Sequence, residues 1–359
     1  MKIPIDDEHR RLVKDFGASY TKDLKDVPEY RSFESGLLFS HRDFDEFFRK
    51  LKKGEKVAIV SGLNPSCALH IGHKGVFDTN IFFQKKYGID VFIPLSDDES
   101  YLAGKIPDQK TGLKNAQHLV KQLLALGFDP KKTKFVIDQI YTEIYNLAIK
   151  FSKLVTRSTI KATYGHSDEV NIGLQFYPCV QAAHILMPLY LGYKHVLVPI
   201  SIDEDMHLRI SRDIAGKLNL PKPAVLHSAF MPGVDGEKMS KSRPDTAIFL
   251  DDDLKSVKKK VMRAFSGGRG SLEEHRKYGG IPENDVALKY LTAYFLSQKD
   301  ADKLEAEYKK GKVLSSELKE MLYKELEKFL TDYKKRFAKI SDKDANSVII
   351  KNKDFHLVV

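Results

Sequence analysis

The chain has 359 residues, of which 42% are apolar and 30% charged. At about 150 residues per domain this predicts two domains with real cores and excludes a disordered chain. The 59 Lys and Arg against 49 acids leave a formal charge of +10, which favours a polyanionic partner such as a nucleic acid or nucleotide without proving one. Two cysteines, Cys67 and Cys179, exclude a disulfide framework and a four-ligand zinc site from one chain. No apolar run of signal-peptide length follows Met1, and nowhere do about 18 uncharged apolar residues follow one another. A soluble, cytoplasmic protein with no membrane partner is expected.

Residues 1–55 form a charged, helix-prone N-terminal segment, with Phe44, Phe47 and Phe48 near helical spacing. Residues 56–250 change texture. Val57-Ala58-Ile59-Val60 is a short apolar run that stops at Ser61-Gly62, as a buried strand entering a loop does. Similar runs are Val91–Leu95, Phe135–Ile137, Val196–Ile200 and Ala224–Leu226. Pro94 and Pro199 remove ladder donors, so those two strands are expected to end or bulge there. Helical patterns lie between the runs, for example Leu113–Leu126 closed by Gly127 as a C-cap. Strands alternating with longer helices imply an α/β domain whose parallel sheet is covered on both faces. Residues 251–359 lack strand runs. Leu318, Met321, Leu322, Leu326, Phe329 and Leu330 form one helical stripe, and Val286, Tyr290, Leu291, Tyr294 and Phe295 another. This helical part carries 24 basic and 19 acidic residues, about half of the excess charge in less than a third of the chain.

Two segments carry chemistry. The strand ending at Val60 leads through Gly62 into His70-Ile71-Gly72-His73 and then a helical pattern. In α/β sheets ligands bind at the carboxyl ends of strands, and a helix N-terminus offers N–H groups to phosphate. His70 and His73 share a face of that first turn, and Gly72 leaves room for a flat purine. The second segment is Gly236-Glu237-Lys238-Met239-Ser240-Lys241-Ser242-Arg243-Pro244. Its cations and hydroxyls suit a pyrophosphate. A pair of partly buried helix-start histidines, or a solvated basic loop, is the plainer account of each segment alone.

Together, His-Ile-Gly-His at 70–73 and Lys-Met-Ser-Lys-Ser at 238–242 resemble the HIGH and KMSKS motifs of class I aminoacyl-tRNA synthetases. Further stretches resemble the tryptophanyl-tRNA synthetases of the archaeal and eukaryotic kind. They include Phe39–Asp43, Asp97-Asp98-Glu99, Asn171-Ile172-Gly173, Gln181-Ala182-Ala183, Ser211–Ala215, Pro223–Ser228, and the run from Ala264 through Phe265-Ser266-Gly267-Gly268-Arg269 to Gly280. The similarity spans about residues 37–335, and Phe265–Gly280 is its most specific part.

The resemblance implies a Rossmann-type α/β catalytic domain with an inserted helical dimerisation region, followed by an all-α anticodon-binding domain. It implies a homodimer that joins L-tryptophan to tRNA(Trp) through an adenylate, using ATP with Mg²⁺. His70, His73, Lys238 and Lys241 would be catalytic. Gly72, Asp203, Met239, Ser240 and Ser242 would hold ATP, and no metal site of the protein's own is expected. Gly62, Glu99, Tyr177, Gln181 and His184 would hold the amino acid. Glu204 stands where the family usually has Gln, and its role is open. The family's usual indole readers are replaced here by Val60, Pro94 and His184. Tyrosyl-tRNA synthetases are the competing assignment, but they read their substrate hydroxyl with a Tyr and an Asp, at positions matching Val60 and His184. A catalytically silent tRNA-binding relative is the other alternative.

Overall fold

A computed structural model describes residues 3, 7–66, 68–237 and 243–357. The chain divides into two compact units that interleave along the sequence. One comprises Met1–Ser40, Ala68–Gly75 and Ser228–Arg336, the other His41–Cys67, Val76–His227 and Phe337–Val359. Among the described residues no helix is long and apolar enough to cross a membrane.

The strands are Ser19–Tyr20 (β1), Leu38–Arg42 (β2), Val57–Val60 (β3), Asp90–Leu95 (β4), Thr133–Ile137 (β5), His195–Ser201 (β6) and Ala224–Ser228 (β7). Each apolar run named above lies in one of β3–β7. In the second unit the order across the sheet is β7-β6-β3-β4-β5. β3 pairs in parallel with β4 and with β6, and β4 in parallel with β5. The chain therefore builds outward from β3 to β5 and then returns to the other side of β3 for β6. That reversal places a topological switch point between β3 and β6, where a crevice opens beyond the carboxyl ends of the strands. Val57–Val60 are buried throughout, as a strand covered on both faces requires.

Both prolines lie inside their strands, contrary to the expectation from sequence. Pro94 pairs with Val136 and β4 continues to Leu95. The segment after β3 stays alongside β4 here, with Ser61 N donating to Phe92 O at 3.1 Å and Leu63 N to Pro94 O at 2.9 Å, so Pro94 costs that side of the ladder one donor without ending the strand. Pro199 falls past the last β3–β6 partners, Ile59 and Leu197. Its carbonyl accepts from Ser61 Oγ at 3.5 Å.

The helix Gln109–Leu126 is capped by Asp108, whose side chain accepts from Thr111 N, and ends at Gly127 with φ 117°, a left-handed value glycine adopts without a Cβ clash. The helix Ile172–Tyr190 is apolar around most of its circumference and buries nearly every residue from Tyr177 to Pro188, the pattern of a core helix. A buried ion network also ties the second unit together. Arg42 donates to both oxygens of Asp205 at 3.0 and 3.1 Å, and His227 Nε2 lies 3.0 Å from Asp205 Oδ1. Burial alone would raise the Asp205 pKa, but the hydrogen bonds from His227 and Arg42 outweigh it and hold the carboxyl down at about 2. The C-terminal residues close the far edge, with Phe135 N donating to Val348 O and Ile350 N to Phe135 O.

The first unit is mainly helical. The buried seam of the helix Ser315–Phe337 is Leu318, Leu322, Leu326, Leu330 and Tyr333. Met321, expected on that stripe, is 41% exposed, and Phe329 is half-buried under Lys74 Nζ, 4.6 Å from its ring centre. A spacing of mostly four residues gives a narrower seam than the six-residue stripe. The second stripe starts as the α-helix Val286–Tyr290 and finishes as a π-helical turn, Leu291–Phe295.

Candidate active site

In the first unit His70 caps a 3₁₀ turn, Ile71–His73, that runs directly into the helix Lys74–Tyr87. His70 Nδ1 accepts from Gly72 N, and His73 Nδ1 accepts from His70 N, both at 3.2 Å. The ring centres are 3.9 Å apart. A neutral imidazole that accepts at Nδ1 carries its proton on Nε2, so both rings are set as Nε2–H donors at a helix start. That is the polarity an anionic phosphate needs.

The turn is also zipped to a later segment of the same unit. Ile71 N donates to Ile248 O and Leu250 N to Leu69 O, each at 2.9 Å, and the His70 ring meets Phe249 edge-on at 6.1 Å. Phe249 lies seven residues past Ser242, the end of the second motif. Sequence reasoning missed this pairing because Ala247–Leu250 is too short to read as a strand. Lys238, Met239, Ser240, Lys241 and Ser242 lie outside the described residues. Of that loop, Arg243 pairs with Asp235 at 2.6 Å.

The stretch Ala264–Gly280 proves to be a backbone packing device. A Cβ on Gly267 would stand 1.9 Å from Ile281 O, and one on Gly279 1.8 Å from Lys309 O. Asp285 accepts from Gly267 N, Leu288 N and Tyr308 Oη at 2.9–3.1 Å. Phe265 is 53% exposed and would touch any side chain placed on Gly236.

In the second unit, Gly62 follows β3 and is exposed. Protein neighbours leave ordinary room for a Cβ there, the nearest being Pro94 O at 3.4 Å. Asp203 follows β6 in the 3₁₀ turn Ile202–Glu204 and is exposed. Gly62 and Asp203 thus flank the two sides of the switch point. Glu204 pairs with His207 Nε2 at 3.2 Å, and His207 Nδ1 lies 2.7 Å from Tyr164 Oη.

Tyr177, Gln181 and His184 stand at i, i+4 and i+7 on the Ile172–Tyr190 helix, one face of it. Tyr177 Oη is 2.6 Å from Ser96 Oγ and 2.7 Å from Gln181 Oε1. Ser96 opens the helix Asp97–Leu102 at the end of β4. Glu99, on that helix, pairs with Lys105 at 2.7 Å. His184 Nε2 is 2.6 Å from Asp138 Oδ1, with the side chains 1% and 0% exposed. Asp138 is the first residue past β5, and its N–H donates to Asp97 Oδ1 at 3.0 Å. Tyr145 donates to Asp98 Oδ2 at 3.2 Å. The carboxylates of Asp97, Asp98 and Asp138 come within 4.8 Å of one another.

Burial, and then the neighbouring Asp138, push the Asp98 carboxyl far above the ordinary range, and burial does the same to Asp138. Burial also holds the His184 imidazole down, so it is neutral at pH 7. A cavity of about 200 Å³ reaches this cluster and is lined by Asp98, Tyr101, Tyr145, Phe176, Tyr177 and Val180 among others. Asp138 and Ser96 were legible in principle, since each is the first residue after an apolar run in an α/β pattern. Tyr145 was not.

Residues 52–331 match the family described as tRNA synthetases class I (W and Y). The chain belongs to that family. The synthetase is 37% identical over 340 residues to the tryptophan–tRNA ligase of Methanocaldococcus jannaschii, covering 92% of each chain. It is 38% identical over 344 residues to tryptophan–tRNA ligase 2 of Halobacterium salinarum, covering 93% of this chain and 88% of that one. A solved tryptophanyl-tRNA synthetase from Aeropyrum pernix superposes with a TM-score of 0.87 at 31% identity, over 96% of both chains. The expected class I fold, a mostly parallel sheet with a helical C-terminal region, is thereby established for this synthetase.

Proposed function

We propose that this synthetase activates L-tryptophan with ATP and transfers it to the terminal adenosine of tRNA(Trp). The observation that carries the reading is resemblance to tryptophan–tRNA ligases along more than nine-tenths of the chain. The tryptophan carboxylate attacks the α-phosphate and pyrophosphate leaves, so negative charge grows on the phosphates in the transition state. His70 and His73 give their Nε2–H donors to that charge, while Lys238 and Lys241 gather around pyrophosphate with Ser240 and Ser242. Gly72, Met239 and Asp203 hold the adenosine part. Mg²⁺ enters with ATP as part of that substrate. Glu99, Tyr177 and Gln181 hold the α-amino end of tryptophan over Gly62, with the substrate ammonium taking the place of Lys105 on Glu99.

Residues 251–359 supply the anticodon-binding helices, through backbone contacts and unstacked bases. Two copies of the chain pair as a homodimer in the cytoplasm. Ile149, Ile172 and Tyr101, exposed at 62%, 78% and 43%, support an apolar contact in the second unit.

Amino-acid-dependent ATP–pyrophosphate exchange tests the assignment. Tryptophan is expected to drive exchange far better than any of the other nineteen amino acids, and faster exchange with tyrosine would overturn it. Lys241→Ala is expected to lower kcat much more than it raises KM for tryptophan, because charge on pyrophosphate is greatest in the transition state.

A further inference from the structure

The buried cluster at the ends of β4 and β5 has a proton inventory that can be closed. His184 Nε2 and Asp138 Oδ1, 2.6 Å apart, hold one proton between them. Asp98 and Asp138 also hydrogen-bond through their carboxyl groups, which takes a second proton. Among the described residues no lysine or arginine pairs with Asp97, Asp98 or Asp138, so a fully ionised cluster would bury three unscreened charges. Asp97 is already committed, accepting from Asp138 N and from Gln139 Nε2. Asp98 Oδ1 accepts from Glu99 N and its Oδ2 from Tyr145.

Two buried atoms of the cluster have no partner: Asp138 Oδ2 and His184 Nδ1. A proton on Asp98 directed to Asp138 Oδ2 satisfies the first. The imidazole proton on Nε2 then goes to Asp138 Oδ1. What is left over is the bare lone pair of His184 Nδ1, a buried acceptor in search of one N–H.

Resting on the reading of tryptophan as substrate, we infer that His184 Nδ1 accepts the indole N–H and that Asp138, backed by Asp98, is the positioning residue that keeps this nitrogen bare. Three observations join the acceptor to the substrate. His184 shares a helix face with Tyr177 and Gln181. Its partner Asp138 sits at the carboxyl end of β5, on the side of the sheet where an α/β fold holds its ligands. Indole carries a single N–H donor on an otherwise apolar ring, matching the single unpartnered acceptor of His184. Val60 is apolar and 2% exposed, and Pro94 has no donor and gives its carbonyl to Leu63 N, so neither competes for the role. Asp138 does not touch the substrate; it acts by fixing the tautomer. An amide there could turn its NH₂ toward Nε2, which moves the ring proton to Nδ1 and sets two N–H groups against each other.

The test compares tryptophan with β-(benzothiophen-3-yl)alanine, the same shape with sulfur in place of N–H, in ATP–pyrophosphate exchange. The unaltered synthetase is expected to favour tryptophan in kcat/KM by about ten- to a hundredfold. His184→Ala and Asp138→Asn are each expected to bring that ratio to within about threefold of unity, and His184→Gln, which keeps an acceptor, to recover part of it. A merely structural role for Asp138 would lower both substrates equally and leave the ratio intact. The unaltered chain provides a measurement independent of variant folding. Imidazole ¹⁵N spectra of the twelve histidines are expected to show one whose unprotonated Nδ1 accepts no hydrogen bond, and that resonance moves on adding tryptophan but much less with the sulfur analogue. A ratio unchanged in variants that fold, or a protonated His184 Nδ1, overturns the inference while tryptophan-dependent exchange stands. Absence of that exchange from the unaltered chain would overturn the functional reading and the inference together.

Discussion

Two regions of this synthetase bury polar groups in opposite ways. In the first unit, the glycine-lined turn from Phe265 to Ser315 leaves the polar atoms around Asp285 satisfied. Asp285 accepts three donors, Tyr308 Oη also meets Ser315 Oγ at 2.7 Å, and His275 Nε2 meets Val313 O at 2.9 Å. Arg269 and Arg276 spend their guanidinium donors on backbone carbonyls of Gly279, Gly311 and Lys312. In the second unit, the Asp98–Asp138–His184 cluster is just as buried but leaves Asp138 Oδ2 and His184 Nδ1 without partners. A complete buried network specifies a backbone path, whereas an incomplete one is costly unless something else completes it. The first region therefore explains why so specific a stretch of sequence holds the fold, and the second why His184 is left with an acceptor for the substrate.

The largest expected effect lies in the glycine-lined turn. Gly279 has φ 72° and a carbonyl 1.8 Å from where a Cβ would be, so Gly279→Ala cannot be absorbed by a side-chain shift. A loss of more than about 4 kcal/mol is expected, seen as little soluble protein or a collapsed thermal transition. A variant of near-normal melting temperature would mean the turn can open without cost.

A matched pair of substitutions sharpens the contrast further. Asp285→Asn sets an NH₂ among groups that all donate and is expected to cost about 3 kcal/mol in urea unfolding. Asp138→Asn replaces a carboxyl in a pair that already shares a proton, so its stability is expected to stay within about 1 kcal/mol at pH 7. Equal losses from the two would erase the distinction between the regions.

Effects of pH have opposite signs at Asp205 and at the Asp98–Asp138 pair. Asp205 is held at about 2 in the folded chain against 3.8 as the ordinary value. Its contribution, about 2 kcal/mol, is present above pH 4 and fades as pH falls toward 2. Asp98 and Asp138 are raised instead. The pair holds one carboxyl proton, on Asp98, which the unfolded chain gives up as pH rises past 4. Stability contributed by these two acids is thus lost on going from pH 4 toward 8. Asp98→Asn, which mimics the protonated acid, is accordingly expected to gain melting temperature relative to the unaltered chain between pH 5 and 8, and a constant difference would show that no carboxyl proton is held there.

Much of this molecule was legible in one dimension. Apolar runs three to five residues long marked β3 to β7, because a strand covered on both faces must be apolar along its length. His70-Ile71-Gly72-His73 announced itself because a helix start with two donors needs those residues in consecutive positions. Other features depend on residues far apart in sequence, and no periodicity encodes them. β4 runs on through Pro94 only because Leu63 and Val136 pair with it on its two sides. Phe249 meets His70 only because residues 248–250 return to pair with 69–71. His184, read from sequence as a break in a family pattern, became an acceptor once Asp138, 46 residues earlier in the chain, was found holding its other nitrogen. A tautomer is decided by the partner of the opposite ring atom, and only the tertiary structure brings that partner within 2.6 Å.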